Sequence, residues 1–336
     1  MTLPNTETSR PPKGARRATA RSGGHASLTT ASAHPLADEL RPGQSLELLK
    51  ELHILTREGK LNQDSRRKLK QVYHLYQFVE KLLLELLQEP AGGKPLADAP
   101  AVPTATGLTL ADHGAGKSYL GFILYDLFFR QRTQGHIYGI VTRAELVDKS
   151  QALARQLGFE RMSFLNLTVA ESTQSTRLPE RIDVVTALHA CDTATDDAIS
   201  FGLQKQARVM VLVPCCQAEV ARVLSQHKAL SLSRTPLAEL WRHPLHTREM
   251  GSQITNVLRC LYLEACGYQV TVTELVGWEH SMKNELIIAR FTGAKKRASA
   301  ERLRALLSEF GLLSLLHTRF TSLPDNAVPP LSGELV

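Results

Sequence analysis

The sequence has no long apolar run, no C-x-x-C pair and no internal repeat. Its longest apolar-rich stretch, FVEKLLLELL at 78–87, carries charges within it and falls well short of the about 18 uninterrupted apolar residues a membrane helix needs. A membrane span is excluded on that ground. The N-terminal stretch lacks the apolar core of a secretory signal, so export is not expected. Cysteine is sparse and odd in number: Cys191, Cys215, Cys216, Cys260 and Cys266, all in apolar surroundings. That count argues against a disulfide framework and fits a reducing, cytoplasmic compartment.

What remains is an ordinary globular composition, 43% hydrophobic and 22% charged over 336 residues. This length suits one large domain or two modest ones. The formal net charge is +7, and much of the surplus is local. Residues 1–36 hold Arg10, Lys13, Arg16, Arg17 and Arg21 against Glu7 alone, five positive charges to one negative, in a background of Ser, Thr, Ala, Pro and Gly. Such a segment cannot bury a core and reads as a disordered basic tail.

Residues 37–92 read as a helical extension. In DSRRKLKQVYHLYQFVEKLLLELLQE, Leu69, Val72, Tyr76, Val79, Leu83 and Leu86 recur at spacings of three and four, one face of a long helix opened by the acidic cap Asp64. A shorter helix over 46–55 precedes it. PAGGKPLADAPAVPTATG then reads as a linker. From there the rhythm is regular. Strand-like runs at 107–112, 136–141, 162–167, 181–188 and 207–213 alternate with helical patterns such as GKSYLGFILYDLFFRQ and RAELVDKSQALARQLG. That alternation predicts right-handed crossovers and a doubly wound, parallel α/β sheet. After the apolar helix ITNVLRCLYLEACG, the strands 268–276 and 285–291 are joined by only eight residues, too few for a crossover helix, so this pair must be antiparallel. Five parallel units and an antiparallel end pair form the pattern of the seven-stranded, Rossmann-like sheet of class I methyltransferases, spanning 93–293 here. A final helix, ASAERLRALLSEFGLLSLL, and a tail occupy 294–336.

The turn after the first strand, ADHGAGKS, supports two chemistries. Read from Ala111 to Ser118 it resembles a phosphate-binding loop, with Lys117 on the phosphates and Ser118 on magnesium. Read as Asp-x-Gly-x-Gly it is Asp112, Gly114, Ala115 and Gly116, glycines that admit the amino acid end of S-adenosylmethionine beside a strand ending in a carboxylate. Context favours the second. The phosphate loop's opening glycine is replaced by Ala111, and neither RIDVVTAL nor VMVLV ends directly in the carboxylate that magnesium requires.

DHGAGKSYLGFILYD, ALHACDTATDDAI, VPCCQ and HSMKNELIIARF together resemble a family of S-adenosylmethionine-dependent methyltransferases. It contains bacterial members, the eukaryotic tRNA 2′-O-methyltransferase and methyltransferase-like 25 proteins. The resemblance runs from about residue 64 to 293 and implies the fold and the cofactor. One departure stands out: Val141 occupies the end of the second strand, where such enzymes usually place an acid for the ribose hydroxyls. Glu145, one helical turn on, is the substitute candidate; Asn166 and Thr168 after the third strand are candidates for the adenine.

His189, Cys191 and Asp192 follow the fourth strand, and Cys215 and Cys216 follow the fifth. Neighbouring strands bring them to one end of the sheet. Vicinal cysteines chelate poorly, so no metal is expected. His189 or Asp192 is the candidate base for methyl transfer; Cys191, Cys215 and Cys216 are candidates for the acceptor pocket. Lys283 and Asn284 match the Lys-Asn pair of the resembled family, which makes them candidates for positioning the acceptor or for shaping the turn between the last strands. The basic run Arg66, Arg67, Lys68 and Lys70 with Tyr73 and His74, together with the tRNA-modifying relative, favours RNA, tRNA or rRNA, as acceptor. The competing reading, which Val141 favours, is a non-catalytic RNA- or protein-binding module that keeps the fold. Oligomeric state is not legible.

Overall fold

The computed structural model describes residues 39–88, 107–188, 190, 192–214, 217–227, 236–275 and 285–324. The basic tail and the linker expected at 90–107, its last residue Gly107 aside, lie outside the described residues. Contacts separate Met1–Leu40 from Arg41–Val336, and every element below belongs to the second unit.

Helix α1 (Leu46–Glu51) is capped by the Ser45 hydroxyl, which accepts from Leu48 N. It ends four residues earlier than its pattern suggests, in a turn through His53 at φ 55°. Helix α2 (Gln63–Gln88) buries Leu69, Leu75, Tyr76, Val79, Leu83 and Leu86. Its cap is not Asp64: the Asn62 side chain accepts from Ser65 N at 2.8 Å, and Asp64 sits in the first turn. Capping needs a side-chain oxygen just before the first helical residue, which Asn62 supplies.

Seven strands form one sheet: β1 (Thr109–His113), β2 (His136–Val141), β3 (Met162–Asn166), β4 (Val184–Leu188), β5 (Val209–Val213), β6 (Tyr268–Glu274) and β7 (Glu285–Phe291), in the order β3-β2-β1-β4-β5-β7-β6. The first five are mutually parallel. β7 lies antiparallel to both β5 and β6, as the short connection requires. All five residues of β5 are buried, which suits a strand covered on both faces.

Crossovers are made by α3 (Tyr119–Leu124), which runs on as a π-helical turn over Tyr125–Phe129, α4 (Ala144–Gln156), α5 (Val169–Gln174) and α6 (Ala194–Gln204). Helix α7 (Glu219–His227), a 3-10 turn at Pro236–Trp241 and α8 (Pro244–Ala265) lead from β5 to β6. The C-terminal helix expected as one is two, α9 (Arg297–Glu309) and α10 (Ser314–Arg319), broken at Gly311, whose φ of 66° no α-helix accommodates.

One face of the sheet, with Ala111, Val185, Ala187, Met210, Leu212, Ile287 and Ala289, packs on α6, α8 and α9 through Phe201, Leu258, Tyr262 and Leu303. The other carries Phe164 against Phe122 of α3. Helix α2 lies against α3, and Asp126 accepts from Ser45 N, so both N-terminal helices are built into the body of the sheet domain.

Candidate functional site

Gly114 and Gly116 follow β1 with φ of 68° and 56°. A Cβ at Gly116 would meet no atom within 4 Å, so the turn presents bare backbone to open space. Three of its amides face inward. Gly114 N donates to Ile140 O at 3.0 Å, Ala115 N to the same oxygen at 3.4 Å, and Ser118 N to Ala115 O at 2.6 Å. A phosphate cradle needs such N–H groups aimed outward, and the buried Ser118 hydroxyl donates to Asp112 Oδ2 at 2.9 Å rather than facing a cation. Three of the turn's amides and the Ser118 hydroxyl are therefore spent within the fold, which disfavours the phosphate-loop reading. Lys117 remains exposed at the rim.

Asp112 is seated beneath this turn. Its carboxylate accepts from Ser118, from Thr186 Oγ1 at 2.9 Å and from Gly121 N–H. Burial pushes its pKa up to about 6, and these three donors oppose the rise. Gly121 is required here, because a Cβ would lie 2.5 Å from Ser118 Oγ. The carboxylate assigned by sequence to the cofactor is thus an anchor for the glycine turn, sent inward by strand alternation. His113 points to the opposite face, 6% exposed, 5.4 Å from the Phe201 ring and with neither ring nitrogen bonded among the described residues. Burial lowers its pKa to about 4.

β2 ends in buried Val141, registered opposite Asn166, whose Nδ2 donates to Val141 O at 3.1 Å. Glu145 stands in the first turn of α4, its side chain 67% exposed and 4.0 Å from Arg143. Thr168 is the N-cap of α5 in a capping box: its hydroxyl accepts from Glu171 N, while Glu171 accepts from Thr168 N at 2.7 Å. The sequence signal for that cap, Thr168-x-x-Glu171, was open to reading.

Past β4, Asp192 sits at φ 52° and its Oδ1 accepts from Ala218 N and Glu219 N at 2.8 and 3.0 Å. Its Oδ2 lies 3.6 Å from Arg222. The residue expected as a base therefore caps α7, tying the segment after β4 to the one after β5. Sequence reasoning missed Gln217, Asn256 and Arg259, three buried polar residues beside it. Asn256 and Arg259 lie with Ser252 on one stripe of α8, a spacing the sequence carries without marking it as buried. His189, Cys191, Cys215, Cys216, Lys283 and Asn284 lie outside the described residues. Among the described residues no three His, Cys, Asp or Glu side chains group as metal ligands, and no helix is long and apolar enough to cross a membrane.

Residues 67–223 match the family model described as a methyltransferase domain. No curated protein sequence matches the chain. Among solved structures, the chain is similar to magnesium protoporphyrin IX methyltransferase from Synechocystis PCC 6803 with bound SAH. The identity is 15%, over 73% of this chain and 93% of that one, with a TM-score of 0.38. It is also similar to the CurJ carbon methyltransferase, at 16% identity over 78% of this chain and 64% of that one, with a TM-score of 0.39. An rRNA methylase from Streptococcus thermophilus shares 10% identity over 55% of this chain and 86% of that one, with a TM-score of 0.33. Residues 67–223 thus match a methyltransferase domain, set on a seven-stranded sheet of order β3-β2-β1-β4-β5-β7-β6, and S-adenosylmethionine is the methyl donor of such a domain. The bare backbone at Gly116 fits that group, since it leaves open the space a side chain would fill.

Proposed function

We propose that this chain transfers the methyl group of S-adenosylmethionine to RNA, with tRNA or rRNA as acceptor. The observation that carries the methyltransferase reading is the glycine turn, open above Gly116 and anchored from below by Asp112. When bound, the cofactor supplies a methyl group already activated by its sulfonium. The protein's part is then placement and proton removal. Gly114, Ala115 and Gly116 give the close backbone approach, with Lys117 at the rim; Glu145 takes the ribose side that Val141 cannot, and Asn166 and Thr168 border the adenine.

Asp192 has two amide donors on its carboxylate, which favours His189 over it as the group that takes the acceptor's proton. Cys191, Cys215, Cys216, Lys283 and Asn284 form the acceptor side. Support for RNA is the exposed cationic start of α2, where Arg67, Lys68 and Lys70 project to solvent. A second reading, a binding module without catalysis, is favoured by apolar Val141 at the ribose position and by the capping role of Asp192.

Calorimetry with S-adenosylhomocysteine and transfer of labelled methyl groups to total RNA separate the two. Binding at micromolar levels, lost in Gly116→Val with the fold intact by circular dichroism, and label on RNA are the expected results. Binding without label on any RNA, protein or small-molecule fraction would leave the binding module. A melting-temperature rise with ATP that Lys117→Ala removes would revive the phosphate loop.

A further inference from the structure

Three elements begin at the acceptor side of the sheet: α6 after β4, α7 after β5, and β7. Two buried side chains of α8, Arg259 and Asn256, together reach all of them. Arg259, 1% exposed, donates from Nε to Asp196 Oδ1 at 2.8 Å and from Nη2 to Asp196 Oδ2 at 2.6 Å, a two-point grip on the first turn of α6. The same Nη2 donates to Asp192 O at 2.8 Å, fixing the left-handed residue that precedes that helix. Its Nη1 donates to Asn256 Oδ1 at 3.1 Å, one turn back on α8.

Asn256 carries the network onward. Its Oδ1 also accepts from Gln217 Nε2 at 3.2 Å, just ahead of α7, and its Nδ2 donates to Glu285 Oε2 at 2.6 Å, the first residue of β7. Gln217 Oε1 in turn accepts from Ser252 Oγ at 2.5 Å. Ser252, Asn256 and Arg259 form one stripe of α8, at spacings of four and three. Asp192 closes the circuit through the N-terminal amides of α7.

Stability alone is a weak reason for this arrangement, because a buried ion pair is commonly replaceable by apolar residues at little cost. Geometry is the stronger one. Apolar packing fixes distance but little orientation, whereas a planar guanidinium fork and a primary amide fix both. In-line transfer needs the acceptor side held to within a fraction of an ångström of its productive placement. We propose that Arg259 is a positioning residue, with Asn256 as its relay, setting the starts of α6, α7 and β7 in register around the acceptor. This rests on the methyltransferase reading only for its activity consequence.

The test uses the full chain with Arg259→Met, Arg259→Lys and Asn256→Leu, read by hydrogen exchange with mass spectrometry and by S-adenosylhomocysteine calorimetry. Arg259→Met is expected to raise exchange at least tenfold in peptides covering 192–198, 217–222 and 285–288, with 108–121 and the cofactor-product Kd within twofold of wild type. Asn256→Leu is expected to loosen 217–222 and 285–288 and leave 192–198 protected. Arg259→Lys should recover part of the protection at 192–198, and Arg259→Met should lower kcat for RNA labelling at least tenfold with KM within threefold.

A uniform rise across the molecule, no rise in these three peptides, or the same pattern in Arg259→Met and Asn256→Leu would overturn the proposal. If Arg259→Met does not fold, the contrast between Asn256→Leu and Arg259→Lys decides it alone. Failure of the wild type to bind S-adenosylhomocysteine would overturn the methyltransferase reading and leave the exchange pattern as a separate result.

Discussion

Asp112 and His113 are consecutive residues at the end of β1 that point to opposite faces of the sheet, and burial moves their proton affinities in opposite directions. The Asp112 carboxyl, raised from its ordinary 3.8 to about 6, binds its proton more tightly when folded. Its contribution is therefore present at low pH and is lost as pH rises from about 4 to 6. The His113 imidazole, lowered from 6.5 to about 4, binds its proton more weakly when folded. Its contribution is present above about pH 6.5 and is lost as pH falls toward 4. At about 1.4 kcal/mol per pKa unit each is worth about 3 kcal/mol, so over pH 4 to 6 the two nearly cancel. Removing one exposes the other. His113→Leu is expected to become less stable than wild type, by comparison, as pH rises from about 4 to 6, and Asp112→Asn to show the opposite trend. Urea unfolding at three pH values measures both differences, and equal slopes in wild type and His113→Leu would refute the assignment.

At the scale of elements, the connections that follow β4 and β5 are held by side chains from elsewhere in the chain. Helix α7 has its N-terminal amides capped by Asp192, from the preceding crossover, and its first residue Glu219 clamped by Arg319 Nε and Nη2 at 2.9 and 2.7 Å. Asp192→Ala should cost about 1 kcal/mol, as for other lost caps, and raise amide exchange at the start of α7. Unchanged exchange there would show that the cap is not what orders the helix. The strands were legible because each is a short β-branched or apolar run between turn residues; His136–Val141 and Glu285–Phe291 begin and end where the pattern does. The caps were less so. Asp64 and Asp192 are the residue type that caps helices, and only coordinates distinguish Asp64 in the first turn of its own helix from Asp192 capping another. Arg259 was hidden for a related reason: a single cation in ITNVLRCLYLEA reads as the solvated side of a helix, and its partners lie 63 and 67 residues away in sequence.

For the whole molecule, charge and fold divide the labour proposed for RNA. The sheet domain places the glycine turn at the end of β1, on the side proposed for the acceptor, while the basic surplus lies in residues 1–36 and at the start of α2. Cations that meet phosphates release condensed counterions, so binding weakens linearly in log salt with a slope of about 0.7 to 0.9 per phosphate contact. The tail has a net charge of +4. Deleting residues 1–36 is therefore expected to flatten the log-log slope by about 3 and weaken tRNA binding, with the affinity for S-adenosylhomocysteine unchanged because the glycine turn lies in the unit that begins at Arg41. Lys68→Glu with Lys70→Glu should act the same way and more weakly, two positive charges counting for fewer phosphate contacts than the five in residues 1–36. Filter binding of both variants on total tRNA across salt concentrations, paired with transfer of labelled methyl to the same RNA, checks this directly. Salt slopes that match wild type in both variants, or label that appears only on protein or small molecules from a cell extract, would reject RNA as the acceptor, while loss of the affinity for S-adenosylhomocysteine on deleting the tail would reject the division of labour itself.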